Sequence, residues 1–160
     1  MQYKRRRERK TNYKKRFALL KSKKTRIVVR KSNKNFRIQF INYKPDGDFI
    51  LLSSMGSDLK NYGWDGSYSN TPSAYLAGFL AGKKAIKKGI NEGILDIGLN
   101  SPRKGAKIFA ALKGVVDAGV KIPYSEDIIP SDERLHGKHI DESLVSKVEE
   151  VKKKIEEEYG

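Results

Sequence analysis

Three short apolar-rich stretches near the start of the chain read as strands, and the second of them alternates hydrophobic and polar positions with period two. Residues 26–30 read RIVVR, residues 36–43 read FRIQFINY and residues 49–53 read FILLS. In the second, Phe36, Ile38 and Phe40 alternate with Arg37, Gln39 and, one step on, Asn42. Such alternation predicts a strand with one buried face, and the short apolar runs on either side of it, bounded by turn residues, predict its neighbours. The connectors KSNKN and KPDGD have turn composition, so the three strands are expected to form an antiparallel meander. The period then changes to that of a helix. Thr71 and Pro72 are expected as N-cap and first helical residue, followed by an apolar face of Tyr75, Leu76, Phe79, Leu80 and Ile86. Residues 94–99, ILDIGL, are apolar on both sides except for Asp96 and predict a central strand. A helix over 104–118 presents Ile108, Phe109, Leu112, Val115 and Val116, with Gly119 as its C-cap. After the extended piece VKIPYS and a polar loop, residues 142–159 carry Leu144, Val148, Val151 and Ile155 at helical spacing. That narrow stripe suits docking on the domain or on a neighbouring protein.

The N-terminus has a different pattern. Tyr13, Phe17 and Leu20 mark a helical stripe within residues 9–21, on an otherwise very basic segment. Residues 1–8 are too charged to bury anything and predict an arm that is disordered until bound. The element order α-β-β-β-α-β-α plus a terminal helix defines an α/β fold. It has a mixed sheet, in which a three-strand antiparallel meander is followed by βα units, with helices packed on the sheet. Three segments follow: a basic arm and helix over 1–24, an α/β domain over 25–125, and a polar loop with a charged helix over 126–160.

Charge changes the picture more than composition does. Seventeen of the 34 Lys and Arg lie between Lys4 and Arg37, against the single acid Glu8. A solvated face mixes signs and this stretch does not, so its expected partner is a polyanion, RNA first. Arginine forks match phosphate oxygens, and Tyr3, Tyr13 and Phe17 offer stacking faces. Arg30, Lys31, Lys34 and Arg37 gather around the first β-turn as a second basic surface. Residues 126–158, in contrast, hold eleven of the nineteen acids and six basic residues, so that end is expected to face solvent or protein. The chain has no cysteine, which excludes disulfides, thiol nucleophiles and thiolate metal sites and suits a reducing compartment. No apolar secretory-type segment opens it, and its longest nearly apolar run, AYLAGFLAG, is far short of the roughly 20 residues of a membrane span. The expectation is a soluble cytoplasmic protein with no membrane partner.

Catalytic groupings are sparse. The strand order is shared with ribonuclease H-type nucleases, which need several carboxylates at strand ends to hold two metal ions. Asp96 sits on a plausible strand, but the first strand offers Arg26 and Arg30 and no acid. Asp46 and Asp48 belong to the turn PDGD, and Asp96 is expected to bond backbone or a nearby basic group. His136 and His139 lack a third metal ligand. Phosphate-binding loops, nucleophile elbows and zinc-protease motifs are absent. No catalytic residue, metal or cofactor is expected. A basic nuclease and a general RNA chaperone stand as alternatives to a specific RNA binder. Two features keep two readings each. Tyr62, Trp64 and Tyr68 in the polar loop 54–70 either pin that loop on the core or stack on splayed bases. Gly78 and Gly82 either pack closely against the sheet or admit an RNA backbone.

Several segments resemble one family. RRRERKTNYKKRFALLKS, RKSNKNFRIQF, DLKNYGW, TPSAYLAGFLAGKKA and LDIGLNSPRKGAKIFAALKGVVDAGVKIPYSE are similar, in order and at plausible spacing, to the archaeal and eukaryotic branch of ribosomal protein eighteen of the large subunit. This is the universal 5S-rRNA-binding family. The resemblance implies a structural protein of the central protuberance that clamps 5S rRNA and helps attach it to the large rRNA, beside neighbouring ribosomal proteins. It also implies an α/β sandwich with an extended basic arm. Carried over motif by motif, it assigns RNA contacts to Arg5, Arg6, Arg7, Arg9, Lys10, Tyr13 and Arg16 of the arm, and to Arg30, Lys31, Ser32, Asn33 and Lys34 of the turn. Arg37 joins them from the charge cluster. Beyond Asp141 the resemblance ends, and the partner of the last helix stays open.

Overall fold

The structure is a computed structural model that describes residues 3–21, 23–98, 103–138 and 140–159. Strands β1 (Arg26–Lys31), β2 (Phe36–Asn42) and β3 (Phe49–Met55) form the antiparallel meander, and β4 (Ile94–Asp96) runs parallel to β1. The sheet order is β3-β2-β1-β4. Period-two alternation puts Ile27, Val29, Phe36, Ile38, Phe40 and Leu52 into the core. That face is covered by helix α3 (Thr71–Lys87), which is itself enclosed by α4 (Lys107–Asp117) and the terminal helix α6 (Ser143–Tyr159). The α/β mixed sheet is therefore the one the sequence predicts.

Four local expectations change. The N-cap of α3 is Asn70, not Thr71: the Asn70 carboxamide oxygen accepts from the Ser73 N–H at 2.9 Å, and Thr71 is buried inside the helix. Asx side chains reach this donor well, and Pro72 still falls in the first turn. Strand β4 is at the edge of the sheet rather than its centre, and it is shorter than 94–99. Leu95 and Ile97 border the cleft between the N-terminal arm and the sheet. Leu99 and the predicted turn at 100–102 lie outside the described residues. Helix α4 starts at Lys107 rather than 104, because Gly105 just before it takes φ +72°. Lastly, the close partner of Gly78 is α4 rather than the sheet. A Cβ on Gly78 would sit 2.0 Å from the Ala111 carbonyl oxygen, and one on Gly114 would sit 2.1 Å from that of Tyr75. Small residues on both helices let the two backbones touch.

Loop 54–70 is largely structured. A 3₁₀ turn spans Gly56–Tyr62, and Trp64 is buried with its indole N–H donating to the Ser67 carbonyl at 3.0 Å. Trp64 thus pins the loop, and the Tyr62 hydroxyl donates to Glu158 on α6. Val148, Val151 and Ile155 of α6 are fully buried against α3 and the 3₁₀ turn. The stripe left open by the sequence docks on this domain. Tyr75 adds a polar tie, donating to Asp117 of α4 at 2.6 Å and lying 3.1 Å from the Lys152 ammonium of α6. Burial first, and then the Asp117 carboxylate, push the Tyr75 pKa far above its ordinary value.

Candidate nucleic-acid interface

The same alternation that buries one sheet face turns Arg26, Val28 and Arg30 of β1 and Arg37, Gln39 and Ile41 of β2 to the other. In the register, Arg30 stands directly opposite Arg37 and Val28 opposite Gln39. Like charges directly opposed across two strands repel, and an anion over the face relieves the repulsion. Arg37 is exposed. Arg30 is partly held, donating to the carbonyls of Val29 and Asp96 at 3.0 and 2.9 Å, with its guanidinium 3.5 Å from the Asp96 carboxylate.

The turn between β1 and β2 is built by Ser32 and Asn35. The Ser32 N–H donates to the Asn35 carbonyl at 2.9 Å, and the Ser32 hydroxyl accepts from the Asn35 N–H at 3.1 Å. Ser32 is therefore engaged in shaping the turn. Lys31, Asn33 and Lys34 are left exposed around it. Lys31, Ser32 and Asn33 also border a cleft of about 500 Å³ whose far wall includes Lys107 and Arg134. Sequence reasoning missed these last two cations. They are isolated in the sequence and only the fold brings them beside the turn.

The first part of the arm departs from the disorder expected of residues 1–8, and the second keeps the helix expected within residues 9–21. The first is a helical turn, α1 (Lys4–Arg7), and the second is α2 (Tyr13–Lys21). Between them Arg9 takes φ +56°, which reverses the chain. The Lys10 N–H donates to the Arg5 carbonyl at 2.9 Å, the Arg5 Nε donates to Thr11 at 2.9 Å, and Tyr3 lies 5.0 Å from Tyr13 ring to ring. Asn12 caps α2, its carboxamide oxygen accepting from the Lys15 N–H at 3.2 Å. The predicted stripe of Tyr13, Phe17 and Leu20 does not dock as a unit. Phe17 is 62 % exposed with the Lys21 ammonium over its ring, and α2 buries no residue. The helix is instead rotated so that Lys15, Arg16, Ala18 and Leu19 face the sheet across a cleft.

An ion network explains the rotation. Arg16 donates to both Asp48 oxygens at 3.1 Å. Arg26, only 3 % exposed, bridges Asp48 at 2.6 Å and Asp96 at 3.0 Å. Asp96 also accepts from the Gly98 N–H at 2.9 Å, so it bonds both a basic group and backbone, as predicted. Asp48 was not legible: in PDGD it has the composition of an ordinary turn, and no local signal ties it to Arg16 or Arg26.

The cleft between arm and sheet encloses about 830 Å³. Arg5, Lys10, Lys15, Arg16, Arg26 and Arg30 line it against the two carboxylates of Asp48 and Asp96, so it is strongly positive. Of the predicted contacts, Arg5, Lys10, Tyr13, Arg16 and Arg30 meet here, and Lys31, Ser32 and Asn33 border the second cleft. Arg7, Arg9, Lys34 and Arg37 are exposed outside both, and the side chain of Arg6 lies outside the described residues. Among the described residues no cluster of three metal-ligating side chains occurs. His136 points its Nδ1 to the Asp132 carbonyl at 2.8 Å, and His139 lies outside the described residues.

An α/β domain that gathers cations from an arm and one sheet face around a shared cleft belongs to the class of basic polyanion-binding proteins. Comparison with known proteins makes this particular. The family described as ribosomal large subunit proteins 60S L5, and 50S L18 matches residues 1–92 and 88–125, and the chain belongs to it. It is 47 % identical over 150 residues to large ribosomal subunit protein uL18 of Korarchaeum cryptofilum, covering 94 % of this chain and 76 % of the relative. The uL18 proteins of Methanobrevibacter smithii and Haloarcula marismortui are 46 % and 50 % identical, each over 86 % of this chain and over 72 % and 74 % of their own lengths. The chain is thus a ribosomal protein of the large subunit, of archaeal type, and not an enzyme. The nuclease alternative is set aside on the same ground. The Asp96 carboxylate that it required is moreover paired with Arg26.

Proposed function

We propose that this protein binds 5S rRNA and helps attach it to the large rRNA in the central protuberance of the cytoplasmic ribosome, next to neighbouring ribosomal proteins. The arm neutralises phosphates while the α/β domain recognises the shape of the folded RNA. The observation that carries this reading is the convergence of arm and sheet cations on one positive cleft. RNA helices are recognised mainly through backbone and shape, which suits a rigid basic surface better than a pocket for one base. The opposed pair Arg30 and Arg37, with Lys31 and Lys34 beyond it, continues the positive surface past the cleft. Removing residues 1–16 is expected to weaken 5S binding severely in a gel-shift titration. The core is expected to stay folded in a thermal melt, since no residue of the arm belongs to it. Unchanged affinity would contradict the proposal.

A further inference from the structure

Asp48 is held from both sides. Arg26, buried and shared with Asp96, fixes the carboxylate from within the sheet at 2.6 Å. From outside, Arg16 grips both of its oxygens at 3.1 Å. Both contacts come from one guanidinium nitrogen, Nη2, which sits astride the two carboxylate oxygens in a charge-assisted, bifurcated bond. The Asp48 side chain is 24 % exposed and that of Arg16 is 32 % exposed, so the pair is partly shielded from water. Because α2 buries no residue, apolar packing contributes little to holding the helix across the sheet.

We propose that Asp48 is a positioning residue for the arm: its carboxylate, fixed by Arg26, docks Arg16 and sets α2 across the outer sheet face before RNA arrives. Arg16 then acts as a fastener within the chain and leaves phosphate contact to Arg5, Lys10 and Lys15 around the same cleft. This deepens the RNA-binding reading and rests on it for one of its two measurements. Simple electrostatics makes the opposite forecast: an acid inside a basic cleft repels RNA, so neutralising it tightens binding. Under the positioning role its loss weakens binding, because the arm must then be ordered during association.

The test uses the full chain with Arg16→Gln, Asp48→Asn, the double variant and Asp48→Glu. Arg16→Gln leaves the Arg26 pairs intact and so guards against a mere folding defect in Asp48→Asn. Hydrogen exchange of the α2 amides in the free protein is expected to speed up about five- to tenfold in each single variant, with the double variant no faster than either. The affinity for 5S rRNA at fixed salt is expected to fall by a similar factor in both single variants, without multiplying in the double, and to recover in part with Asp48→Glu. Unchanged α2 exchange, independent effects that multiply, or tighter RNA binding by Asp48→Asn overturns the proposal. Failure of the unaltered protein to bind 5S rRNA strikes at the RNA-binding reading instead, and the exchange measurement still decides whether Asp48 docks the arm.

Discussion

Arg26 and Arg37 are both arginines on the outer sheet face, yet their surroundings assign them opposite work. Arg26 is buried between the carboxylates of Asp48 and Asp96. Removing one member of a buried ion group leaves the remaining charges uncompensated, so Arg26→Gln should cost about 3 kcal/mol of stability in a denaturant titration. A change within error of zero would show the network to be dispensable. Arg37 is exposed, opposite another cation. Arg37→Gln should leave the melt unchanged, weaken RNA binding and lower the slope of log affinity against log salt by about 0.7–0.9, the yield of one lost phosphate contact. An unaltered slope would remove Arg37 from the interface. Tyr75 carries a different prediction. Burial and Asp117 raise its pKa, so the folded chain holds the phenolic proton more tightly than the unfolded chain does. The resulting stability is complete below the ordinary tyrosine value and declines as the pH climbs past about 10. A melt series from about pH 8 to 11 should therefore fall less steeply for Tyr75→Phe than for the unaltered protein, and parallel curves would contradict this.

The elements were legible where periodicity is local. RIVVR, FRIQFINY and FILLS announce β1 to β3 as short apolar-rich runs bounded by turn residues, the second with period-two alternation, and the faces of α4 and α6 follow from helical spacing. Periodicity does not say what covers a face. Gly78 and Gly82 marked a close approach, but whether sheet, helix or RNA approached was decided by tertiary structure. The answer is α4, with Ala111 and Val115 against the two glycines. Gly78→Ala is accordingly expected to push α3 and α4 apart and destabilise the fold by about 1–3 kcal/mol, measured by urea titration. Full stability would mean that the helices do not cross this closely. The arm was least legible. Composition predicts disorder for residues 1–8, where a helical turn forms instead; spacing does predict a helix within residues 9–21, but not the reversal at Arg9, the Asn12 cap or the Arg16–Asp48 pair that place it.

At the scale of the molecule, charge order along the chain maps onto the surface. The basic first 37 residues become arm, sheet face and turn, and the acid-rich terminal segment ends in α6, docked on α3 away from the sheet. A long basic run is visible in sequence because its members are neighbours. The roles of Asp48, Lys107 and Arg134 were not visible, because each acts with residues that only folding brings close. The positive surface alone would bind any RNA. Recognition of one RNA requires the rigid arrangement of arm, cleft and turn to match a particular shape. The most direct measurement is therefore a salt-matched competition titration of the intact protein with 5S rRNA and an unrelated structured RNA of equal length. The account predicts preference for 5S rRNA by about 10³-fold or more, the scale on which specific nucleic-acid binders exceed their non-specific binding. Equal affinity for the two RNAs would contradict it.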